Sequence, residues 1–129
     1  NGRQAYAEMA ASPEFLHPIN YAQARIADVE GLLLPGGHAP GMKSYLESSV
    51  LQSLVAAAFA ARLPVGAICH GVVLAASGDF KRRPVSTRRD APDHLERGFT
   101  VRDGQYLSAR WPGDAHRSAT EFAGMVQTG

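Results

Sequence analysis

One cysteine, Cys69, stands in the 129 residues, which excludes an intrachain disulfide and any all-cysteine metal site. A lone thiol suits a reducing compartment better than a secreted scaffold. No apolar run is long enough to span a bilayer and no basic-then-apolar leader precedes the first elements, so the expectation is a cytoplasmic protein without a membrane partner. Neither sign of charge dominates: 13 Lys+Arg against 12 Asp+Glu leave a formal net charge of +1, and nothing in that balance calls for nucleic acid. No Gly-Lys-Ser/Thr follows the glycine pair Gly36-Gly37, which removes a phosphate-cradling loop. His17, His38, His94 and His116 show no ligand spacing, so no metal and no cofactor are expected. Internal repeats and low-complexity tracts are absent as well. What remains is one compact domain's worth of chain, with five Phe, four Tyr and one Trp to anchor a core.

The opening, Ala5 to Ala11 and then Ser12-Pro13-Glu14-Phe15, reads as a surface helix or loop, with Pro13 and Pro18 as its punctuation. Leu32-Leu33-Leu34, stopped by Pro35-Gly36-Gly37, predicts a strand buried on both faces. Ser44-Tyr45-Leu46-Glu47 matches a capping box. Leu51, Leu54, Val55, Ala58 and Phe59 then follow helical spacing, with Arg62 placed in the last turn. Pro64 ends that helix. Val65 to Ile68 predicts a second buried strand, and Val72 to Ala76 begins another helix. Strand, helix, strand, helix at this spacing implies an α/β domain with a parallel sheet covered on both faces. The run Lys81-Arg82-Arg83 to Arg88-Arg89, broken by Pro84, reads as a solvated loop or edge. Asp103-Gly104 predicts a tight hairpin turn. Asp114 is expected to cap a final helix whose apolar face is Ala119, Phe122, Ala123 and Val126.

The chemistry concentrates at Ala67-Ile68-Cys69-His70-Gly71. A nucleophile lifted out of a sheet between a strand's end and a helix's start needs small neighbours, and Ala67 and Gly71 supply them. The helix start favours the thiolate. The His70 backbone N–H is a candidate oxyanion donor, and its ring a candidate proton partner. The competing reading is a structural cysteine packed as a small hydrophobe. Because the ends of parallel strands line one edge, Gly36, Gly37 and His38 are expected to face Cys69, with Gly37 as second donor. The rival for this stretch is a plain turn that needs glycine. His116 is a weaker candidate for the pocket, and Trp111 either covers it or fills an interface.

Leu33-Leu34-Pro35-Gly36-Gly37-His38-Ala39-Pro40-Gly41-Met42, together with the Cys69 elbow, resembles the DJ-1/PfpI (ThiJ) family of the class I glutamine amidotransferase-like superfamily. The tail from Leu107 to Arg117 resembles the Hsp31-like branch. The resemblance implies a flavodoxin-like three-layer sandwich around a mostly parallel sheet. It implies Cys69 and His70 as the catalytic pair, Gly36, Gly37, His38 and Gly71 around the oxyanion and substrate, a small-molecule substrate and a homodimer. Family activities include glyoxalase III-like conversion of methylglyoxal to lactate, deglycation and other hydrolytic reactions. Two departures stand out. No acidic partner of the cysteine is found upstream, and neither Glu8 nor Glu14 fits that role. Secondly, the fold is expected to lack an N-terminal strand and a block between Ser77 and Gly78. The rivals to a Cys69-dependent enzyme are a redox-sensing stress or holdase protein, and an inactive truncated homologue.

Overall fold

The computed structural model describes residues 2–77 and 98–128. The basic run from Lys81 to Arg89, His94 and the expected break after Ser77 lie outside or at the border of the described residues. The chain opens with two helices, α1 (Gly2–Ala11) and α2 (Pro13–Leu16), that contribute no buried residue. After two short 3-10 turns comes β1 (Leu32–Leu34), followed by α3 (Met42–Glu47), α4 (Ser49–Ala60), β2 (Val65–Ile68) and α5 (Gly71–Ser77). Strands β3 (Thr100–Asp103) and β4 (Tyr106–Ala109) form a hairpin, and α6 (Ala115–Thr128) closes the domain. Among the described residues no helix is long and apolar enough to cross a membrane.

The four strands make one sheet in the order β1-β2-β4-β3. β1, β2 and β4 run parallel, with Leu34 opposite Ala67 and Ile68 opposite Ala109, and only β3 is antiparallel. Alternation along the strands divides the two faces. Leu34, Val65 and Ala67 join Leu51, Val55 and Ala58 of α4 and Leu74 and Ala75 of α5 in one buried cluster. On the other face α6 lies so close that a Cβ on Gly66 would sit 2.8 Å from the Phe122 ring. Helices therefore lie on both faces of a mostly parallel sheet, as the strand–helix alternation implies, but the edge strand β1 is not buried on both faces as expected: Leu33 is 47% exposed.

Four local expectations are corrected. The capping box at Ser44 does not form: Ser44 lies inside α3, and Ser48 caps α4 by accepting from the Leu51 N–H at 3.3 Å. Arg62 stands beyond α4 with φ of 60°, where its N–H reaches the Phe59 carbonyl while that of Leu63 reaches Ala58. That pair of reversed bonds is a left-handed helix stop, a place glycine normally takes. In the hairpin Asp103 belongs to β3, and the two loop residues are Gly104, at φ of 59°, and Gln105. Finally, α6 turns Ser118 and Met125 inward with Phe122 and Val126 half-buried, leaving Ala119 and Ala123 exposed.

Candidate active site

Parallel pairing brings the C-terminal ends of β1, β2 and β4 to one edge of the sheet. Cys69 follows β2 there, its N–H bound to the Ala109 carbonyl of β4 at 3.0 Å. Its backbone is left-handed, φ 57°, a conformation that costs a residue bearing a Cβ about 1–2 kcal/mol. The tight turn is completed by the Cys69 and His70 carbonyls, which accept from the Val72 and Val73 N–H groups at the start of α5. The thiol is half-buried, and its Sγ lies 3.6 Å from His70 Nδ1.

Two glycines make this turn possible by what they leave out. A Cβ on Gly71 would fall 2.1 Å from the Leu34 carbonyl oxygen, so the start of α5 passes directly against the end of β1. A Cβ on Gly36 would sit 2.7 Å from both the Cys69 Cβ and the His70 nitrogen. The Pro35-Gly36 backbone is thereby laid over the elbow. Gly37 points its missing side chain elsewhere, toward Met42 of α3 at 3.4 Å.

Pro35, Gly36, Gly37, His38, Ile68 and Cys69 line a cavity of about 240 Å³, closed on its far side by Pro112 and Ala115. A second, wider cavity of about 390 Å³ lies across His38 and is lined by Gly37, His38, Met42, Lys43, Leu46, Glu47 and His70. His38 belongs to both. Its ring meets that of His70 edge to face, with centroids 4.7 Å apart. One donor atom from each of His38, Cys69 and His70 lies within 4.8 Å of the other two, and among the described residues this cluster contains no carboxylate. The site residues expected from sequence are thus brought together, with one exception. Gly71 lines neither cavity, and its place is set by packing against β1. His116 is exposed on α6 and likewise lines neither cavity. Glu8 and Glu14 sit exposed on α1 and α2.

A charged pair that the sequence reading did not anticipate holds the far wall. Asp114 is fully buried, and it does not cap α6. Its carboxylate accepts two bonds of 2.8 Å from the Arg110 guanidinium. It also accepts the Arg110 N–H at 3.2 Å and the Gly98 and Phe99 N–H groups at 3.0 Å. Burial by itself would raise the Asp114 pKa, but the guanidinium and the backbone donors outweigh it and hold the carboxyl below its ordinary value. Arg110 also stacks over Phe99, with 4.7 Å from its guanidinium carbon to the ring centroid. The pair ties the end of β4 to the segment carrying Pro112 and Ala115, which face Cys69. Trp111 packs on Gly113, where a Cβ would lie 2.5 Å from the indole, and does not line the cavity. The only sequence signal for the pair is an Arg and an Asp four residues apart.

Residues 8–124 match the DJ-1/PfpI family. The chain is 32% identical over 108 residues to a protein of Thermococcus kodakarensis named a deglycase, covering 78% of this chain and 64% of that one. It is 30% identical over 109 residues, at the same coverage, to the deglycase PfpI of Pyrococcus furiosus. The chain therefore spans a little under two-thirds of these relatives' length. Among solved structures, the Rapid Encystment Protein 24 KDa of Francisella tularensis superposes with a TM-score of 0.71 at 16% identity, over 93% of this chain and 70% of its own. A ThiJ/PfpI domain protein from Brachyspira murdochii gives 0.66 at 15% identity, over 84% and 66%. Those two likenesses establish the flavodoxin-like fold. With a family match over nearly its whole length, the chain belongs to the DJ-1/PfpI family.

Proposed function

We propose that the protein is a Cys69-dependent enzyme acting on small carbonyl or acyl compounds, in the deglycase and glyoxalase III range of its family. The observation that carries this reading is the Cys69 thiol, held at φ of 57° with Sγ 3.6 Å from His70 Nδ1, at the mouth of a cavity sized for a small substrate. The deglycase names of the archaeal relatives favour hydrolytic or lyase chemistry on carbonyl adducts. The tail's resemblance to the Hsp31-like branch is retained as the finer part of the proposal, beside relatives that carry PfpI-type names.

In this reading the thiol gives its proton to His70, and the thiolate adds to the aldehyde carbon of an α-oxoaldehyde. The carbonyl π pair moves to oxygen, facing the N–H groups of Gly37 and His70, and takes up a proton to give a hemithioacetal. A base then moves the proton of that carbon to its neighbour, forming a thioester. Water cleaves the thioester to release the hydroxy acid and restore the thiol. His70 serves as the proton carrier, since its Nδ1 lies 3.6 Å from the Cys69 Sγ. A homodimer and a cytoplasmic site of action belong to the same reading, and gel filtration of the purified chain checks the former.

The test pairs methylglyoxal consumption with iodoacetamide labelling. Wild type is expected to consume methylglyoxal and to be alkylated at Cys69, whereas Cys69→Ala does neither. Equal turnover by wild type and Cys69→Ala removes the enzyme reading. Facile Cys69 oxidation by mild peroxide without turnover selects the redox-sensing alternative.

A further inference from the structure

We infer that His38, Cys69 and His70 form a binding site for a zinc ion, through one thiolate and two imidazoles. His38 arrives on the loop after β1, whereas Cys69 and His70 belong to the turn after β2, so sequence spacing hides the set. A single proton partner would suffice for a nucleophilic thiol. Here two rings from separate loops converge on one sulfur, with the donor atoms of all three residues within 4.8 Å of each other.

The distances suit the ion. Tetrahedral zinc with a thiolate at about 2.3 Å and an imidazole at about 2.0–2.1 Å places sulfur and nitrogen about 3.6 Å apart. Cys69 Sγ and His70 Nδ1 stand 3.6 Å apart without any movement. The His38 donor, within 4.8 Å of the others, closes in by at most about 1.5 Å to bring all edges to tetrahedral length. Its side chain is exposed and turns between two cavities, so rotation about its side-chain bonds provides that travel. One sulfur and two imidazoles form a donor set that favours zinc over the oxygen-seeking magnesium and calcium. The two cavities flanking His38 leave a fourth position open to water, unlike a closed structural site.

Binding is balanced as an acid–base exchange, with no change of oxidation state. The Cys69 S–H bond breaks, its proton goes to the buffer, and the sulfur pair forms the bond to zinc. The imidazoles bind through neutral nitrogens, which places the His70 proton on Nε2. The ion takes the same sulfur pair that would attack a carbonyl. If the catalytic reading above holds, zinc is therefore an inhibitor competing at Cys69. The binding site itself does not depend on that reading.

The experiment is titration of the reduced, metal-free chain with cobalt(II) as a spectroscopic stand-in, followed by zinc competition against a chromophoric chelator. Wild type is expected to bind one ion, with thiolate-to-cobalt charge-transfer absorption, and zinc is expected to slow alkylation of Cys69. Cys69→Ser loses that absorption. His38→Ala weakens zinc at least about 100-fold, because losing even an outer-shell partner costs 10–100-fold in typical sites. His17→Ala, on the exposed residue after α2, binds as wild type. Far-ultraviolet circular dichroism verifies that each variant is folded. Wild-type affinity in folded His38→Ala, or no thiolate–cobalt absorption in folded wild type, overturns the inference. Neither readout uses turnover, so a chain that binds zinc but leaves methylglyoxal untouched sinks only the catalytic reading.

Discussion

Replacing Asp114 by Ala removes the acceptor on which five donors converge: two from the Arg110 guanidinium and three from the backbone of Gly98, Phe99 and Arg110. Asp114 and the Arg110 side chain are 0% and 1% exposed, so water does not replace the lost bonds without opening the structure. Breaking a buried ion pair from one side costs about 3–5 kcal/mol. With a urea slope of about 2 kcal/mol per molar, a loss near 4 kcal/mol lowers the unfolding midpoint by about 2 M. Removing both charges is a different perturbation. The double variant Arg110→Met/Asp114→Leu is expected to regain only the part owed to the stranded guanidinium, because the Gly98, Phe99 and Arg110 N–H groups still lack their acceptor. Urea unfolding of the three proteins at pH 7, followed by tryptophan fluorescence, provides the assay. A midpoint shift under about 0.5 M for Asp114→Ala would show that the pair is not the clamp described above.

The sign of the pH dependence is fixed by the same geometry. The folded Asp114 carboxyl titrates below its unfolded value, so its stabilisation is complete above the ordinary carboxylate range. It is lost as pH falls through the depressed folded value. Glu121 behaves likewise: burial would raise it, but Arg117 and Thr100 hold it low. Asp114→Asn is thus expected to flatten part, not all, of the acid limb seen in wild type. An identical acid limb in the two proteins would remove Asp114 from the linkage.

Arg62 holds a left-handed conformation on an exposed helix stop, so Arg62→Gly is expected to stabilise the chain by about 1 kcal/mol, read as a rise in the thermal midpoint. A lower midpoint would contradict it. Gly71→Ala drives a methyl group into the Leu34 carbonyl and is expected to cost at least about 1–3 kcal/mol in urea unfolding, with Cys69 reactivity lost as the elbow shifts. Tolerance within 0.5 kcal/mol would refute the close approach. Cys69→Gly relieves the positive φ that Cys69→Ala retains, so the glycine variant is expected to be about 1 kcal/mol more stable than the alanine variant by the same measurement. The reverse order would refute the strain at Cys69.

Legibility in the sequence followed the range of the interactions that decide each feature. β1, β2 and the elbow were readable because a short apolar run stopped by glycine or a tight turn is a local signal. The body of α4 was readable from its periodicity. The start of α4 was not, because Ser44 and Ser48 are both competent caps and only Ser48 stands where Leu51 and Val55 face the sheet. Of the α6 face, Phe122 and Val126 were readable, whereas Ala119 and Ala123 give way to Ser118 and Met125. The seats of Phe122 and Val126 are Gly31 and Gly66, glycines that leave no hydrophobic signature of their own. Asp114 was misread for a related reason. Its local context is that of a helix cap, but its backbone partners Gly98 and Phe99 lie 16 and 15 residues upstream.

The candidate site shows why glycine carries so much of the information. The left-handed turn at Cys69 is not chosen by the cysteine, which pays a steric penalty there, but imposed by the surrounding backbone. Gly71 admits α5 to within contact of the Leu34 carbonyl, and Gly36 lays the β1 loop across the Cys69 Cβ. The Cys69 N–H is meanwhile held by the Ala109 carbonyl. Three strand ends thus meet around one residue, and Cys69 lines the cavity beside Gly37 and His38. The same closure sets His70 Nδ1 beside the sulfur and His38 across it. Any substitution that adds a Cβ at Gly36 or Gly71 should therefore alter alkylation by moving the sulfur relative to two imidazoles. The chemistry of Cys69 is decided by atoms that its neighbours lack.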